Sequence, residues 1–498
     1  MPPSLPLPPD SMPIAADALI SPPLLSAAEV RTAERDWHAS HPAESLMERA
    51  GRAAAELAGD IALDTGAPVL VLAGPGNNGG DALVAARHLA QAGCRPVVVG
   101  RADPGKLSPD AAAARAVWLA AGGKIDAAMP QRDDFSLVVD GLFGAGLTRE
   151  ITGIDAHWIE RTNALACPRL ALDVPSGLDA DTGTIRGSAL RADLTLCFIA
   201  LKPGLFTADG PDCVGQVLLD TLGVADLPAT AGSLLTRLEA RHQLPPRRMN
   251  SHKGTYGHVG VVGAAPGLVG AGLIAGRAAL AQGAGAVTLA PLDERIAVDY
   301  GEPRLMFATP ETLLERPLSA LAVGPGLGLS DRAARLLDAA ISTNCPLVLD
   351  ADALNLLAVR DACQARLSAR SAPTLLTPHP GEAARLLGKT VAAIQADRVG
   401  AARRLSARFG AHVALKGAGT VIAHPEGHYA INTTGGPWLA QAGSGDRLTG
   451  MVLALLGQGL PAGEALEAAV WLHGHHAASA QTPDDALQRS QPVPHRPL

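Results

Sequence analysis

Aromatic side chains are scarce: Phe, Trp and Tyr make up 3% of the 498 residues. That excludes an aromatic-cored β-sandwich. The six cysteines, Cys94, Cys167, Cys197, Cys213, Cys345 and Cys363, are scattered, and none forms a C-x-x-C pair. That scatter argues for buried, reduced thiols in a cytoplasmic protein. No basic excess exists. The formal charge is −7 and the pI about 6.1, which argues against nucleic-acid or anionic-membrane binding. Apolar runs long enough to span a bilayer are missing, broken throughout by Gly and Ala. The first twenty residues lack the basic start and apolar core of a signal peptide.

What is present is glycine (54), proline (39) and 47% hydrophobic residues. Such a chain is long and apolar enough for two domains rich in strand-to-helix turns. Residues 1–21 and 486–498 read as flexible tails. Residues 22–234 alternate strand and helix, with strands at 68–73, 95–99, 137–140, 170–173 and 194–200. Residues 74–80 form a loop in this reading, and 81–92 the helix after it. A polar, basic stretch at 235–250 reads as a linker. A second alternation fills 251–485. Its strands fall at 258–262, 286–289, 321–323, 347–349, 374–376 and 413–415, with helices at 270–282 and 445–456. Each half predicts an open, mostly parallel sheet covered by helices on both faces, a three-layer α/β domain.

In the first half, Gly74-Pro75-Gly76-Asn77-Asn78-Gly79-Gly80-Asp81 joins a strand to a helix. Glycines admit close backbone approach, and a helix start offers free N–H groups to a phosphate. A plain tight turn is the competing reading. Asp140 and Asp173 end two further strands, where open parallel sheets bind ligands. Oxygens from Asn78, Asp140 and Ser176 suit a hard cation, and so few charges favour a monovalent one.

In the second half, Gly443-Ser444-Gly445-Asp446 opens an apolar helix. Converging amides there can hold an oxyanion, and a carboxylate beside them can take a proton from an attacking hydroxyl. An ordinary helix cap competes with this reading. Leu415-Lys416-Gly417-Ala418-Gly419-Thr420 offers a Lys and a Thr in a small-residue turn suited to a nucleotide. Thr377-Pro378-His379-Pro380-Gly381-Glu382 sets a histidine at a strand end. Acids follow the strand of Leu349-Asp350-Ala351-Asp352-Ala353-Leu354-Asn355, and Gly324-Pro325-Gly326-Leu327-Gly328 forms another close-approach loop.

These motifs carry a double resemblance. The Asn-Asn-Gly-Gly-Asp loop, Asp140-Gly141-Leu142-Phe143-Gly144-Ala145-Gly146-Leu147, Asp173-Val174-Pro175-Ser176-Gly177-Leu178-Asp179 and Lys202-Pro203-Gly204 resemble the NAD(P)H-hydrate epimerase domain, a Rossmann-like fold. The second-half motifs, with Lys253-Gly254-Thr255-Tyr256-Gly257, resemble the ribokinase-like NAD(P)H-hydrate dehydratase domain. The resemblance implies that Asn77, Asn78, Gly79, Gly80, Asp81, Gly144, Ala145, Gly146, Leu147, Thr148, Arg149, Glu150 and Asp173 line a hydrate site, with Asp173 the acid/base. It implies potassium on Asn78, Asp140 and Ser176. It assigns Ala271, Gly328, His379 and catalytic Asp446 to the hydrate in the second domain. Lys416, Gly417, Ala418, Gly419, Thr420 and Gly445 would meet the nucleotide, with ADP as co-substrate and Mg2+ accompanying it. Three positions depart from the pattern: Ala82 replaces a usual glycine, Gly435-Gly436-Pro437-Trp438 a usual Gly-Asn-Pro-Gly, and Arg447 a small apolar residue.

The expectation is therefore a bifunctional repair enzyme. It would epimerise the R and S hydrates of NADH and NADPH and dehydrate the S form with ADP, acting on small nucleotides as a homo-oligomer without nucleic-acid or membrane partners. A small-alcohol kinase and a non-catalytic scaffold are the alternatives. The epimerase-like half argues against the first, and the intact acids against the second.

Overall fold

The computed structural model describes residues 12–13, 22–62, 66–236, 244 and 246–478. The expected tails, apart from 12–13, and much of the expected linker lie outside them. Two compact units divide at Gly232/Ser233.

The first unit begins with two short strands, β1 (Met12–Pro13) and β2 (Pro23–Leu24), and two helices, Ala27–Ser40 and Leu46–Ala62. The first helix is fixed by a capping box between Ser26 and Glu29. Then come β3 (Val69–Ala73), helix Asn77–Gln91, β4 (Pro96–Val99), β5 (Leu137–Gly141), β6 (Arg169–Leu172), β7 (Leu194–Phe198) and β8 (Gln216–Asp220). The sheet order is β1-β8-β7-β6-β5-β3-β4, parallel except for β1 on β8. Every residue of β3, β5 and β7 is buried, as strands covered on both faces require. From β3 the chain steps outward to β4, then returns to the other side with β5. The order reverses there, and ligands of open α/β sheets bind at the carboxyl ends flanking such a point.

One boundary differs from the sequence reading. The helix expected from Asp81 starts at Asn77, so Asn77 to Gly80 form its first turn rather than a loop. Glycine is required there by crowding, not by flexibility. A Cβ on Gly79 would lie 2.0 Å from the Gly74 carbonyl oxygen, and one on Gly80 2.5 Å from the Met47 sulfur.

The second unit holds β9 (Gly232–Leu235), β10 (His258–Gly263), β11 (Ala286–Pro291), β12 (Met306–Phe307), β13 (Ala320–Val323), β14 (Leu347–Leu349), β15 (Thr374–Leu376), β16 (His412–Leu415), β17 (Thr420–Ala423) and β18 (Tyr429–Asn432). Its order runs β12-β11-β10-β13-β14-β15-β16-β17-β18-β9. The strands are parallel from β12 to β16, and β17 and β18 close antiparallel. The reversal falls between β10 and β13. Helix Ser444–Gly457 is almost wholly buried and packs on helix Val269–Ala281. A Cβ on Gly450 would lie 2.1 Å from the Ala275 carbonyl oxygen, so the two backbones touch. The sequence reading missed the antiparallel β17–β18 hairpin and the two helices before β3.

Candidate active sites

A cavity of about 930 Å³ opens at the carboxyl ends of β3, β5 and β6. Asn77, Asn78, Asp81, residues 144–149 and Asp173 line it. Gly79 and Gly80 face the helix packing instead, and Glu150 is exposed outside the lining. Asp173 follows β6 with φ +63°, a left-handed conformation costing a side chain on the order of 1 kcal/mol. The strained turn aims its carboxylate at the cavity. One oxygen accepts from the Ala145 amide at 3.1 Å, and the other from the Lys202 ammonium. Lys202 is fully buried and also donates to the Phe198 carbonyl at 2.8 Å. Burial opposes its charge, but the Asp173 carboxylate outweighs that and holds the proton more tightly than in a free lysine. Gly144 permits the closeness, since a Cβ there would lie 3.2 Å from both the Asn78 Cγ and an Asp173 oxygen.

Three more carboxyl groups line the cavity, Glu34, Asp81 and Asp110. Burial pushes the first two up, and the Asp173 charge adds to it. Glu34 carries no sequence motif. It sits on a helix that only the tertiary fold brings over the sheet.

Beside the cavity, Asp140 is completely buried. It accepts from the Ser176 hydroxyl at 2.7 Å and from the Ser176 amide at 2.9 Å. Asn78 is buried, its amide nitrogen donating to the Leu172 carbonyl at 3.1 Å, while its Oδ1 has no hydrogen-bond partner. A buried carbonyl oxygen without a donor is costly, and this one adjoins an oxygen-rich loop junction.

In the second unit, Asp446 stands in the first turn of helix Ser444–Gly457. Gly443, the residue before it, is left-handed at φ +86°. Amides of such a first turn have no acceptor within the helix. Burial, helped by the nearby Asp350 charge and opposed by Lys416, pushes Asp446 up to about 6. Lys416 was expected at a nucleotide. Its ammonium donates to Asp350 at 2.7 Å, and Thr449 donates to the other Asp350 oxygen at 2.7 Å. Burial opposes ionisation of Asp350, yet the Lys416 cation overrides it and keeps the carboxyl below its ordinary range. A Cβ on Gly445 would lie 3.2 Å from the Lys416 nitrogen, so the glycine lets the helix start close over this ion pair.

The remaining expected residues arrange around it. His379 caps helix Pro380–Leu387 and shares a capping box with Glu382, which burial raises to about 7. The Gly328 amide donates to Asp352 at 2.8 Å. Ala271 lies in the first turn of helix Val269–Ala281 and packs where Gly326 leaves room. The turn at Gly417, Ala418, Gly419 and Thr420 is braced from beneath by buried Arg398, which donates to the Leu415 and Lys416 carbonyls. Thr449 and Arg398 had no sequence signal, being single residues on helices.

Comparison with known proteins agrees with this two-site architecture. A family model described as NAD(P)H-hydrate dehydratase matches residues 259–491, and one for the N-terminus of YjeF-related proteins matches residues 43–204. The bifunctional NAD(P)H-hydrate repair enzyme Nnr of Escherichia coli is 39% identical over 439 residues, covering 86% of this chain and 84% of that protein. Its Moorella thermoacetica counterpart is 38% identical over 506 residues, covering 94% and 93%. This chain belongs to the bifunctional NAD(P)H-hydrate repair enzyme family. The two family models fall one in each α/β unit. A solved ADP/ATP-dependent NAD(P)H-hydrate dehydratase of Bacillus subtilis, co-crystallised with ATP and Mg2+, is 31% identical, covers 52% of this chain and 96% of its own, and has a TM-score of 0.45.

The departures from the family pattern now have places. Ala82 is buried in its helix against Gly141, where a Cβ on the glycine would lie 2.5 Å from the alanine methyl. Trp438 is exposed on a short turn, Pro437–Leu439, ahead of the Asp446 helix. Arg447 is buried, and burial pulls its pKa down. Burial also depresses His473 to about 3 and His476 to about 4, with the Arg447 cation adding to both shifts.

Proposed function

We propose that this enzyme repairs hydrated nicotinamide nucleotides at two separate centres. The first interconverts the R and S hydrates of NADH and NADPH at the Asp173 carboxylate. The second dehydrates the S form at Asp446 with ADP. The observation that carries the reading is the coexistence, in one chain, of an Asp173–Lys202 pair at one switch point and Asp446 beside a glycine-rich helix start at the other.

In the first site, inverting the hydroxyl-bearing carbon requires its C–O bond to break, the oxygen taking a proton and leaving as water, and a second water to add from the other face and give up a proton. Asp173 holds and moves the proton, and Lys202 fixes its carboxylate. Asn78, Asp140 and Ser176 would hold a potassium ion. The fit rests on hard oxygen donors, one formal charge and the unsatisfied Asn78 Oδ1. Bound there, the ion supplies positive charge at the junction of the two loops that carry Ser176 and Gly144.

In the second site, Asp446 takes the proton of the ring hydroxyl as that oxygen attacks the terminal phosphorus of ADP. A new O–P bond forms, the bond to AMP breaks, and the amides of the Gly443–Asp446 turn face the transferring group. The carbon–oxygen bond then breaks. Phosphate carries the oxygen away, and loss of a proton from the adjacent carbon restores the double bond. Lys416 and the turn to Thr420 border the nucleotide. Mg2+ would come with the phosphates, which it neutralises. The carboxylates nearby are already engaged, Asp350 by Lys416 and Thr449 and Asp352 by the Gly328 amide, which suits an ion held mainly by phosphate and water.

The test supplies separated R and S hydrates with ADP and Mg2+ and follows the appearance of NADH absorbance. Both forms are expected to yield NADH. Absence of NADH from the S form with correctly folded protein sinks the dehydratase assignment, and inability to use the R form sinks the epimerase one.

A further inference from the structure

Among the described residues, one group of metal-ligating side chains brings its donor atoms within 4.8 Å of one another: His412, His424 and Glu426. It lies away from the chemistry described above. His412 opens β16, whereas Lys416 follows its other end, about 13 Å along an extended strand.

The sheet register builds the pair. β16 and β17 run antiparallel with Val413 opposite Ala423, so the next step of the ladder sets His412 opposite His424. Their Nδ1 atoms are 2.9 Å apart. Glu426 sits in the turn joining β17 to β18, which is closed by a bond from the His424 amide to the His428 carbonyl. On its far side, His424 Nε2 meets the Glu467 carboxylate at 2.9 Å. A carboxylate accepting Nε2–H leaves the lone pair on Nδ1 and fixes the ring, the usual support of a metal-bound histidine. His428 stacks on the same ring at 4.2 Å. Gly463 leaves room: a Cβ there would lie 3.1 Å from His424 Nδ1 and 3.3 Å from His412 Cε1.

We propose that His412 Nδ1, His424 Nδ1 and the Glu426 carboxylate form a binding site for a borderline divalent cation of the Zn2+ class, with water completing the shell and Glu467 orienting His424. Two imidazoles and one carboxylate are a donor set such ions accept. Glu426 is exposed, so its side chain can close onto the ion by rotation. The ion would tie the β17–β18 turn to the start of β16.

The test uses the full chain, stripped with a chelator, dialysed and titrated with ZnCl2 by calorimetry. One Zn2+ per chain is expected, with a rise in melting temperature. H424N should lose this binding, and E467Q should weaken it about tenfold or more. E426Q, altered only at an exposed turn, should also weaken it by at least tenfold, which keeps the proposal testable if H424N fails to fold by circular dichroism. Absence of stoichiometric binding in the wild type overturns the site. So does Zn2+ affinity unchanged in E426Q and folded H424N, which would leave the two rings as a hydrogen-bonded histidine pair.

Discussion

The Lys202 ammonium donates to the Asp173 carboxylate from a position with no solvent exposure, and the same nitrogen also donates to the Phe198 carbonyl. A buried lysine in this setting cannot swing away, so the carboxylate it holds presents one orientation to the cavity. Lys202 reaches no substrate-lining position of its own. It is a positioning residue.

Replacing it tests that role. Lys202→Met should lower kcat for use of the R hydrate by about 100-fold or more. Use of the S hydrate should be unaffected, since its site lies in the other unit. Asp173→Asn should give the same split. An S-form rate that falls in parallel would show that the lysine supports the whole fold instead.

Asp446→Asn should abolish dehydration of the S form and leave R/S interconversion intact. Chromatography of the two epimers without ADP measures the second activity directly. Loss of both activities in a folded variant would contradict independent sites.

The same substitution should raise stability near neutral pH. The fold raises the Asp446 pKa from 3.8 to about 6, so its ionised form is disfavoured in the native state. That cost is full above about pH 6 and absent below about pH 4. Relief in the Asn variant is expected at roughly 1–3 kcal/mol. Urea unfolding at pH 7 and pH 4 checks this, and a gain that does not shrink at the lower pH would refute the cause.

As a base, Asp446 must be ionised in the free enzyme. The kcat/KM for dehydration should be level above about pH 7 and fall about tenfold per unit below pH 6. A profile still level at pH 5 would remove Asp446 from the base role.

Epimerisation should depend on potassium. Replacing K+ with tetramethylammonium should slow use of the R hydrate, and Asn78→Leu should remove the difference between the two salts because Asn78 Oδ1 is the acceptor left without a hydrogen bond in the fold. Equal salt dependence in the variant would place the ion elsewhere.

Much of this architecture was legible in the chain itself. The run Val69–Ala73 is short, apolar and followed by glycines, and local chemistry of that kind identifies a buried parallel strand and its ligand-facing end. Asp140, Asp173 and Asp446 were readable for the same reason: each stands next to a turn or helix start whose geometry is set by neighbours in sequence. The start of the helix at Asn77 was not legible, because glycine disfavours helix until packing makes it necessary, and the contacts that do so come from Gly74 and Met47.

Sequence alone thus determined the two α/β domains, their order and the motif-borne acids, since strand and helix periodicity and turn chemistry act over a few residues. Tertiary structure decided what those acids touch. Lys202 comes to Asp173 across 29 positions, Lys416 to Asp350 across 66, and Thr449 to Asp350 across 99. Glu34, Thr449 and the His412–His424 pair carry no local signature. Their partners are chosen by sheet register and helix packing, which spacing along one chain does not encode.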